Sequence, residues 1–438
     1  MFMHAHVRQM NLGVFVLATG NHIAGWRFPD AVTSSEDLSA LTDIAKRAER
    51  GKYDFIFFAD TPTCILENHP SYLLKLEPIT LLAALATSTS RIGLVATLSS
   101  TFTEPYNLAR LVASVDRISD GRVGWNVVTN VNDLAASNYG RELPPHALRY
   151  EMATEYLEVV QGLWDSWEKD AFIANRSTGQ YVDPGKLHVL DHRGKFFTVR
   201  GPLSHSRSPQ GQPVIVQAGS SASGQDFAAR YGELVFTIQQ DLDEAKAFAA
   251  SLKQKVAAAG RSPDHCKILP GFFPVVGRTE AEAKQKFAEL ARFVEPGSAM
   301  MVMSERYGHD LSQYPMDGPV PELPLSEKVQ GFAKVLATKA RRENLTLKEL
   351  HDIFALSRGY ILVCGTPTSI ADTMEEWFVA EACDGFMITP AYFPGALDDF
   401  TELVIPELQR RGLFRTDYKG TTLRSHLGLP EPKNRFAA

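Results

Sequence analysis

Polar residues that could bind a ligand follow several short apolar runs of the chain. Asp60 comes after FIFFA, Thr97 and Ser99 come after IGLVA, and Asn126 and Thr129 lie in WNVVTN. Because parallel strands present their carboxyl ends at one edge of a sheet or barrel, these side chains would face a shared polar site. Taken singly, each could equally be a capping or turn residue. Their common placement at strand ends favours the shared site.

The segment at 218–224, AGSSASG, joins the apolar run VIVQ to a helical pattern and contains no bulky side chain. Such a turn lets backbone N–H groups and the hydroxyls of Ser220 and Ser221 approach a phosphate, which the N-terminus of the following helix also favours. The segment matches neither a GxGxxG nor a Walker loop. A serine N-cap is the alternative interpretation.

His146 and Tyr150 stand four residues apart in PPHALRYE. This spacing places both side chains on one face of a helix that begins near His146. Together they could clamp a planar or anionic ligand; a helix cap and a packing residue are the alternative. The sequence assigns no residue to the chemical step itself.

The elements that would position these residues alternate between short β-branched apolar runs and longer helical patterns, which is typical of parallel βα units. Eight strands are predicted, enough to close a barrel, and the fold class is therefore α/β, a (β/α)8 TIM barrel with insertions. The predicted strands are 12–18, 55–58, 92–96, 123–129, 214–217, 234–237, 268–276 and 386–389. The predicted helices are 35–50, 78–87, 105–118, 150–167, 223–231 and 243–259.

A single domain over 1–438 is predicted, with insertions at about 169–212 and 277–365. The first insertion is rich in Gly, Pro, His and Asp and shows no periodicity. The second is mostly helical and includes a Pro- and Met-rich stretch at 300–324. We expect this second insertion to form a lid or a subunit contact.

Composition excludes several classes of partner. The net charge is −6, from 45 basic and 51 acidic residues without a long basic run, so nucleic acid is not expected. The first ten residues lack the apolar core of a signal peptide, and no apolar stretch reaches the ~18 residues that span a bilayer, which indicates a cytoplasmic protein without membrane contact. The four cysteines show neither disulfide nor zinc spacing, so no metal site is expected.

Seven longer stretches, spread over nearly the whole chain, are more specific than any single spacing. They are RQMNLGVFV, AERGKYDFIFFAD, EPYNLARLVASVDRISDGRVGWNVVTN, PHALRYEMATEYLEVVQGLWDSW, DHRGKFFTVRGPL, PQGQPVIVQAGSSASG and GLFRTDYKGTTLRSHLGL. In these stretches the chain resembles the nitrilotriacetate, pristinamycin and dibenzothiophene-sulfone monooxygenases, a family of the bacterial luciferase-like superfamily.

The resemblance implies an FMN site, with the phosphate beside Ser220 and the isoalloxazine ring in the barrel mouth. The residues that it assigns to the site or its immediate surroundings are Asp60, Thr97, Asn126, His146, Tyr150, Ser220 and Ser221. The segment ATLSSTF departs from the commoner ATxSTTY, so Ser99 is the alternative to Thr97 as the residue of this segment at the flavin site. Asn130 stands where the family often has serine, which points to a local difference in the substrate pocket.

The implied reaction follows from the cofactor. Reduced FMN adds oxygen to give a flavin hydroperoxide, which transfers one oxygen atom to a small organic substrate, for example one containing sulfur or nitrogen, and releases the other as water. The protein must keep bulk water out of this site. No Rossmann fingerprint for a nicotinamide nucleotide is present, so a separate NAD(P)H:flavin reductase is expected to supply the reduced FMN. A homo-oligomer, a dimer or tetramer, is also expected.

Three alternatives remain on the same barrel. A deazaflavin-dependent oxidoreductase would transfer hydride and need no oxygen. A flavin-binding protein without turnover would hold the cofactor only. A metal-dependent hydrolase would need clustered His and Asp ligands, which the sequence does not show.

The predicted first βα loop, TGNHIAGWRFPDA, could contact a substrate. It places His22, Trp26 and Arg27 near the expected barrel mouth, where they would offer an apolar wall and a cation for a carboxylate. The loop resembles that of family members acting on S-succinylated cysteine derivatives. A packed loop anchor is the alternative role for Trp26.

Overall fold

The computed structural model describes residues 8–66, 68–219, 221–295, 297, 299–323 and 330–437. Its strands are β1 (Asn11–Phe15), β2 (Phe55–Phe58), β3 (Gly93–Ser99), β4 (Val123–Val128), β5 (His192–Arg193), β6 (Thr198–Val199), β7 (Val214–Gln217), β8 (Leu234–Thr237), β9 (Lys267–Val276), β10 (Ile361–Gly365) and β11 (Gly385–Ile388). Eight of them pair in parallel in the order β1-β2-β3-β4-β7-β8-β9-β11, and β11 pairs again with β1. The predicted closed (β/α)8 barrel is confirmed.

Helices follow most barrel strands and surround the barrel. Those of the described residues are α1 (Leu38–Arg50), α2 (Pro70–Leu73), α3 (Pro78–Ala86), α4 (Pro105–Ile118), α5 (Asp133–Asn138), α6 (His146–Trp164), α7 (Ala222–Tyr231), α8 (Leu242–Ala258), α9 (Glu280–Arg292), α10 (Met300–Tyr307), α11 (Gln330–Glu343), α12 (Leu347–Ser357), α13 (Pro367–Val379), α14 (Gly395–Asp399), α15 (Ile405–Arg410) and α16 (Leu423–His426). None of these helices has both the length and the apolar character that crossing a membrane requires.

The strands are buried on both faces, and successive side chains point alternately into the barrel and out toward the helices. In β2, Phe55 and Phe57 belong to the cluster inside the barrel, whereas Ile56 and Phe58 pack in the cluster between barrel and helices. The inner aromatic rings need room from their neighbours. A Cβ on Gly13 of β1 would lie only 2.4 Å from the Phe55 ring, so the absence of a side chain there lets this ring occupy the barrel interior.

The first insertion forms a short antiparallel pair, β5 with β6, that leans on helix α6. The carboxylate of Glu155 accepts hydrogen bonds from the backbone N–H groups of Phe196, at 3.0 Å, and Phe197, at 2.8 Å. This anchoring keeps the insertion on the outside of the barrel.

The second insertion contains helices α9 to α12, and the side chains of α10, α11 and α12 form a hydrophobic cluster of their own. It also contains strand β10, which the sequence did not predict. The reason lies in β9, which is ten residues long: its first four residues pair with β8, and its last five pair with β10. Strand β10 thus satisfies backbone groups that β8 is too short to reach.

Several boundaries differ from their predicted positions. Helix α1 starts at Leu38 instead of 35, since the Asp37 side chain caps it by accepting from the N–H groups of Ser39 and Ala40. Strand β3 continues through Thr97 to Ser99, so Thr97 lies in the strand and not after it. Helix α6 starts at His146, four residues earlier than predicted, which makes the spacing of His146 and Tyr150 fully helical.

Candidate active site

A cavity of about 340 Å³ lies at the carboxyl ends of the barrel strands. Strands β1, β2, β3, β4, β7 and β8 each contribute a residue at or near that end, and helices of the second insertion contribute others. The predicted site residues found in its lining are Asp60, Thr97, Asn126, His146, Tyr150 and Ser221. These six positions span 162 residues of sequence, from 60 to 221, so the parallel barrel brings them together.

Thr97 and Asn126 are opposite one another on β3 and β4 and are both buried. The Asn126 side-chain amide donates to the Thr97 hydroxyl at 2.9 Å, which fixes the orientation of the amide. Its oxygen, Oδ1, is buried and has no hydrogen-bond partner among the described residues. A buried acceptor without a partner costs free energy, so this atom is suited to accept from a ligand N–H group.

Tyr150 and His146 form one end of the cavity, with ring centroids 5.1 Å apart on the first turns of α6. The Tyr150 hydroxyl lies against the hydroxyls of Ser221 and Thr129, and burial raises its pKa, so it stays protonated. The backbone comes close here because it carries glycine. A Cβ on Gly219 would lie 3.3 Å from the Tyr150 oxygen.

Ser221 is the N-cap of α7 and accepts from the N–H of Gly224 at 3.1 Å. The capping role that the sequence left open is thus filled by Ser221, whose hydroxyl also lies against that of Tyr150 at the edge of the cavity. Ser220, the residue predicted to lie beside a phosphate, falls outside the described residues.

Asp60 lies just after β2 with its carboxylate 3.9 Å from the ammonium of Lys75. Burial is the largest influence on this carboxyl and raises its pKa, which the positive charge of Lys75 opposes. Asn130 also lines the cavity and has a left-handed backbone, with φ of 52°. Asparagine tolerates that conformation better than most residues, which explains its presence in place of serine.

The rest of the lining was not predicted from the sequence. Aromatic rings of Phe15, Phe57 and Phe236 pack edge-on or tilted against one another on the barrel side. Arg358 and Tyr360 enter from the segment after α12. In the sequence, the phenylalanines are typical of buried strand positions and the arginine is typical of an exposed helix end. No local sequence pattern therefore indicated that either group lines a cavity.

His22, Trp26 and Arg27 are not among the residues that line the cavity. His22 is fully buried under the loop, and burial lowers its pKa to about 4. Trp26 is 44% exposed. Arg27 is held at the end of α9, where it pairs with Glu295 at 3.1 Å and lies over the ring of Phe293. The first βα loop therefore packs against the second insertion.

The arrangement combines apolar aromatic walls, a hydrogen-bond acceptor on β4 and a hydroxyl-lined end at the start of α7. This combination suits a planar heteroaromatic ligand that carries an anionic group at one end. Among the described residues, no three His, Cys, Asp or Glu side chains cluster as metal ligands would.

Comparison with known proteins identifies the family to which the chain belongs. The family model described as luciferase-like monooxygenase matches residues 10–389. N-acetyl-S-(2-succino)cysteine monooxygenase of Bacillus subtilis is 47% identical over 435 residues, covering 98% of this chain and 99% of that protein. Nitrilotriacetate monooxygenase component A of Aminobacter aminovorans is 45% identical, with 98% of each chain covered. The crystal structure of a riboflavin lyase, with modified FMN and its substrate riboflavin, aligns with a TM-score of 0.85 at 34% identity over 96% of each chain. The chain therefore belongs to the luciferase-like monooxygenase family, whose members are flavin-dependent enzymes.

Proposed function

We propose that the protein is the oxygenase component of a two-component system, which uses reduced FMN and O2 to insert one oxygen atom into a small organic substrate. The observation that carries the proposal is the cavity itself. Its polar groups and aromatic walls match the parts of FMN, and six of the seven residues expected at a flavin site line it.

Three features of the cavity support this fit. The hydroxyls of Tyr150 and Ser221 would donate to the phosphate, and the N-terminus of α7 would favour its charge. The free Oδ1 of Asn126 would accept an N–H of the isoalloxazine ring. Reduced FMN, when bound, supplies the reaction with O2 and the oxygen atom that is transferred.

The protein's own task is to hold the ligands and exclude water. Val302 of α10 and Phe354 of α12 face the cavity, so helices of the second insertion close it from above with apolar side chains. A site without bulk water prevents side reactions of reactive intermediates with water. The lid predicted for the second insertion is consistent with this placement.

We propose a small molecule containing sulfur or nitrogen as the substrate. The support comes from the two relatives named above, which act on a thioether-containing cysteine derivative and on nitrilotriacetate. These two compounds are therefore the first substrates to test.

A separate NAD(P)H:flavin reductase is part of the proposal, because the sequence has no nicotinamide-binding fingerprint. Purified protein given FMN, NADH, O2 and N-acetyl-S-(2-succino)cysteine or nitrilotriacetate should form no oxygenated product. Adding an unrelated flavin reductase, or chemically reduced FMN, should produce it. Product formation with NADH alone would contradict the two-component reading.

The same assay distinguishes the two alternatives on this barrel. If reduced deazaflavin, without O2, were the productive donor, the protein would be a hydride-transfer enzyme. If FMN bound tightly but no substrate was oxygenated with reduced FMN and O2, a flavin-binding protein without turnover would be the better description.

A further inference from the structure

Arg358 is a buried cation at the cavity, only 6% exposed. It follows the last turn of α12 with a left-handed backbone, φ of 55°, and is the C-cap of that helix. An arginine at a helix end normally extends into solvent. Here the fold turns it inward, between the second insertion and the barrel.

Among the described residues, the hydrogen-bond partners of the Arg358 guanidinium are the side chains of Tyr72 and Tyr360. Its Nη2 donates to the Tyr72 hydroxyl at 3.3 Å, and Nε is buried without a hydrogen-bond partner. Among the described residues it forms no ion pair. The carboxylate of Asp60, which also lines the cavity, is paired with Lys75.

Arg122 shows what a structural buried arginine looks like in the same barrel. It is 2% exposed, and its guanidinium donates five hydrogen bonds of 2.7–3.0 Å, to four backbone carbonyl groups and the hydroxyl of Thr89. Nearly all its donors are thus satisfied, without a carboxylate. Arg358 is buried to a similar degree, but its recorded hydrogen bonds go only to the side chains of Tyr72 and Tyr360.

The groups around Arg358 are neutral. The guanidinium lies over the Tyr72 ring, 5.3 Å from its centroid, and beside Tyr360. His69 nearby is fully buried, which holds its pKa well below the usual range and keeps it uncharged. Neutral groups solvate a cation but do not neutralise it, and a buried charge without a counter-ion is costly. The site is therefore built for an anion that comes from outside the chain.

This anion is separate from the phosphate end of the proposed flavin site. Tyr150 and its neighbours belong to β4, α6 and the start of α7. Tyr360, next to the guanidinium, instead packs against Phe15 of β1 and Phe236 of β8. The cavity thus has a hydroxyl-lined end and a cationic end.

We propose that Arg358 binds a carboxylate of the substrate and so restricts the enzyme to organic acids. This inference rests on the proposed function, since it assigns part of the same cavity to substrate. The planar fork of a guanidinium matches a carboxylate with two parallel hydrogen bonds. A substrate without an anionic group would leave the buried charge unpaired.

Stability provides the first test. The variant Arg358→Met keeps an unbranched side chain out to the position of Nε and removes the charge, and Arg122→Met is the matched control. If Arg358 serves a ligand, the unliganded Arg358→Met protein should have an unchanged or higher melting temperature, because an unpaired buried charge is lost. Arg122→Met should melt at a lower temperature, because it leaves carbonyl groups without donors. A loss in Arg358→Met as large as that in the control would show a structural role and overturn the proposal.

Binding and turnover provide the second test. Calorimetry on the FMN-loaded protein would compare N-acetyl-S-(2-succino)cysteine and nitrilotriacetate with their methyl esters. The wild type should bind at least one acid and prefer it to its ester. Arg358→Met should lose about ten- to a hundredfold in affinity for that acid, with a similar rise in KM, a smaller change in kcat and little preference over the ester. Arg358→Lys should recover part of the loss.

Several results would overturn the inference without touching the proposed function, which the FMN and reductase assays test independently. The first is equal binding of acid and ester by the wild type, and the second is an unchanged KM in Arg358→Met. The third is weaker binding of FMN by that variant with riboflavin binding unchanged, because this would place the flavin phosphate at the guanidinium. A larger rise in KM for Arg27→Ala than for Arg358→Met would move the carboxylate contact to the first βα loop.

Discussion

Replacing Tyr150 with phenylalanine tests the phosphate end of the proposed flavin site most directly. The substitution removes one hydroxyl and keeps the ring, which packs 5.1 Å from His146 and 6.1 Å from Phe227 between centroids. The hydroxyl is protonated at neutral pH, and burial raises its pKa further above that range. It is therefore available as a hydrogen-bond donor, and its removal should leave the fold intact.

The size of the effect follows from the charge of the acceptor. A hydrogen bond to a charged group contributes about 1.5–3 kcal/mol, against about 1 kcal/mol for a neutral pair. Since each 1.4 kcal/mol is a factor of ten, Tyr150→Phe should weaken FMN binding about ten- to a hundredfold. Riboflavin lacks the phosphate, so its weaker binding should change much less.

Fluorescence titrations with FMN and riboflavin, on wild type and variant, would give all four dissociation constants. The ratio of the dissociation constants for FMN and riboflavin separates an effect on phosphate binding from a general change in the site. Tyr156→Phe is the matched control, because Tyr156 lies on the same helix with its hydroxyl 2.8 Å from that of Thr103 and does not line the cavity. It should leave the ratio unchanged.

An equal loss for FMN and riboflavin in Tyr150→Phe would refute the reasoning, because it would place the hydroxyl near the ring and not the phosphate. No loss for either ligand would remove Tyr150 from the flavin site. An altered ratio in the Tyr156→Phe control would show that the selectivity responds to general disturbance of α6.

Three further outcomes are expected. Asn126→Ala should weaken FMN and riboflavin by similar factors, since its free oxygen is assigned to the ring; a change in their ratio in titrations would contradict this. Ser221→Ala should lower the free energy of unfolding by about 1 kcal/mol in urea denaturation, because it removes the N-cap of α7; no change would show that the cap is dispensable. The His22 pKa is lowered from 6.5 to about 4, so its stabilising contribution is complete above pH 6.5 and is lost as the pH falls toward 4. Between pH 7 and pH 4.5, the free energy of unfolding should fall by about 2–3 kcal/mol less in His22→Asn than in wild type, since asparagine can still accept from the N–H of Ala24. Equal falls in the two proteins would exclude His22 as the cause.

The barrel could be predicted because its signals are local. Buried parallel strands require short β-branched and aromatic runs, and strands such as β2, β7 and β8 have the predicted bounds. The predicted bounds of α4 are also correct, since Pro105 stands at its first turn. Strand β10 escaped prediction because its pairing depends on the unusual length of β9 and on no feature of its own segment.

Part of the cavity lining was likewise visible in the sequence. Polar residues that end buried strands, such as Asn126, interrupt an apolar run, and this interruption is the signal. The helical spacing of His146 and Tyr150 indicated a shared ligand contact, and the resemblance to a known family assigned that contact to FMN. The first βα loop, by contrast, offered a cation at Arg27, but a salt bridge and an aromatic contact hold that side chain at the end of α9.

The sequence by itself determined the order of the barrel strands and the residues at their ends, because periodicity and capping act over a few residues. Only the tertiary structure decided which distant groups share the cavity. Asn126 and Arg358 are 232 positions apart, and nothing near Arg358 in the chain distinguishes it from an exposed arginine at the end of a helix. Its burial against Tyr72 and Tyr360, without a counter-ion in the described part of the chain, arises when the second insertion packs over the barrel mouth, because charge compensation depends on neighbours in space and not in sequence.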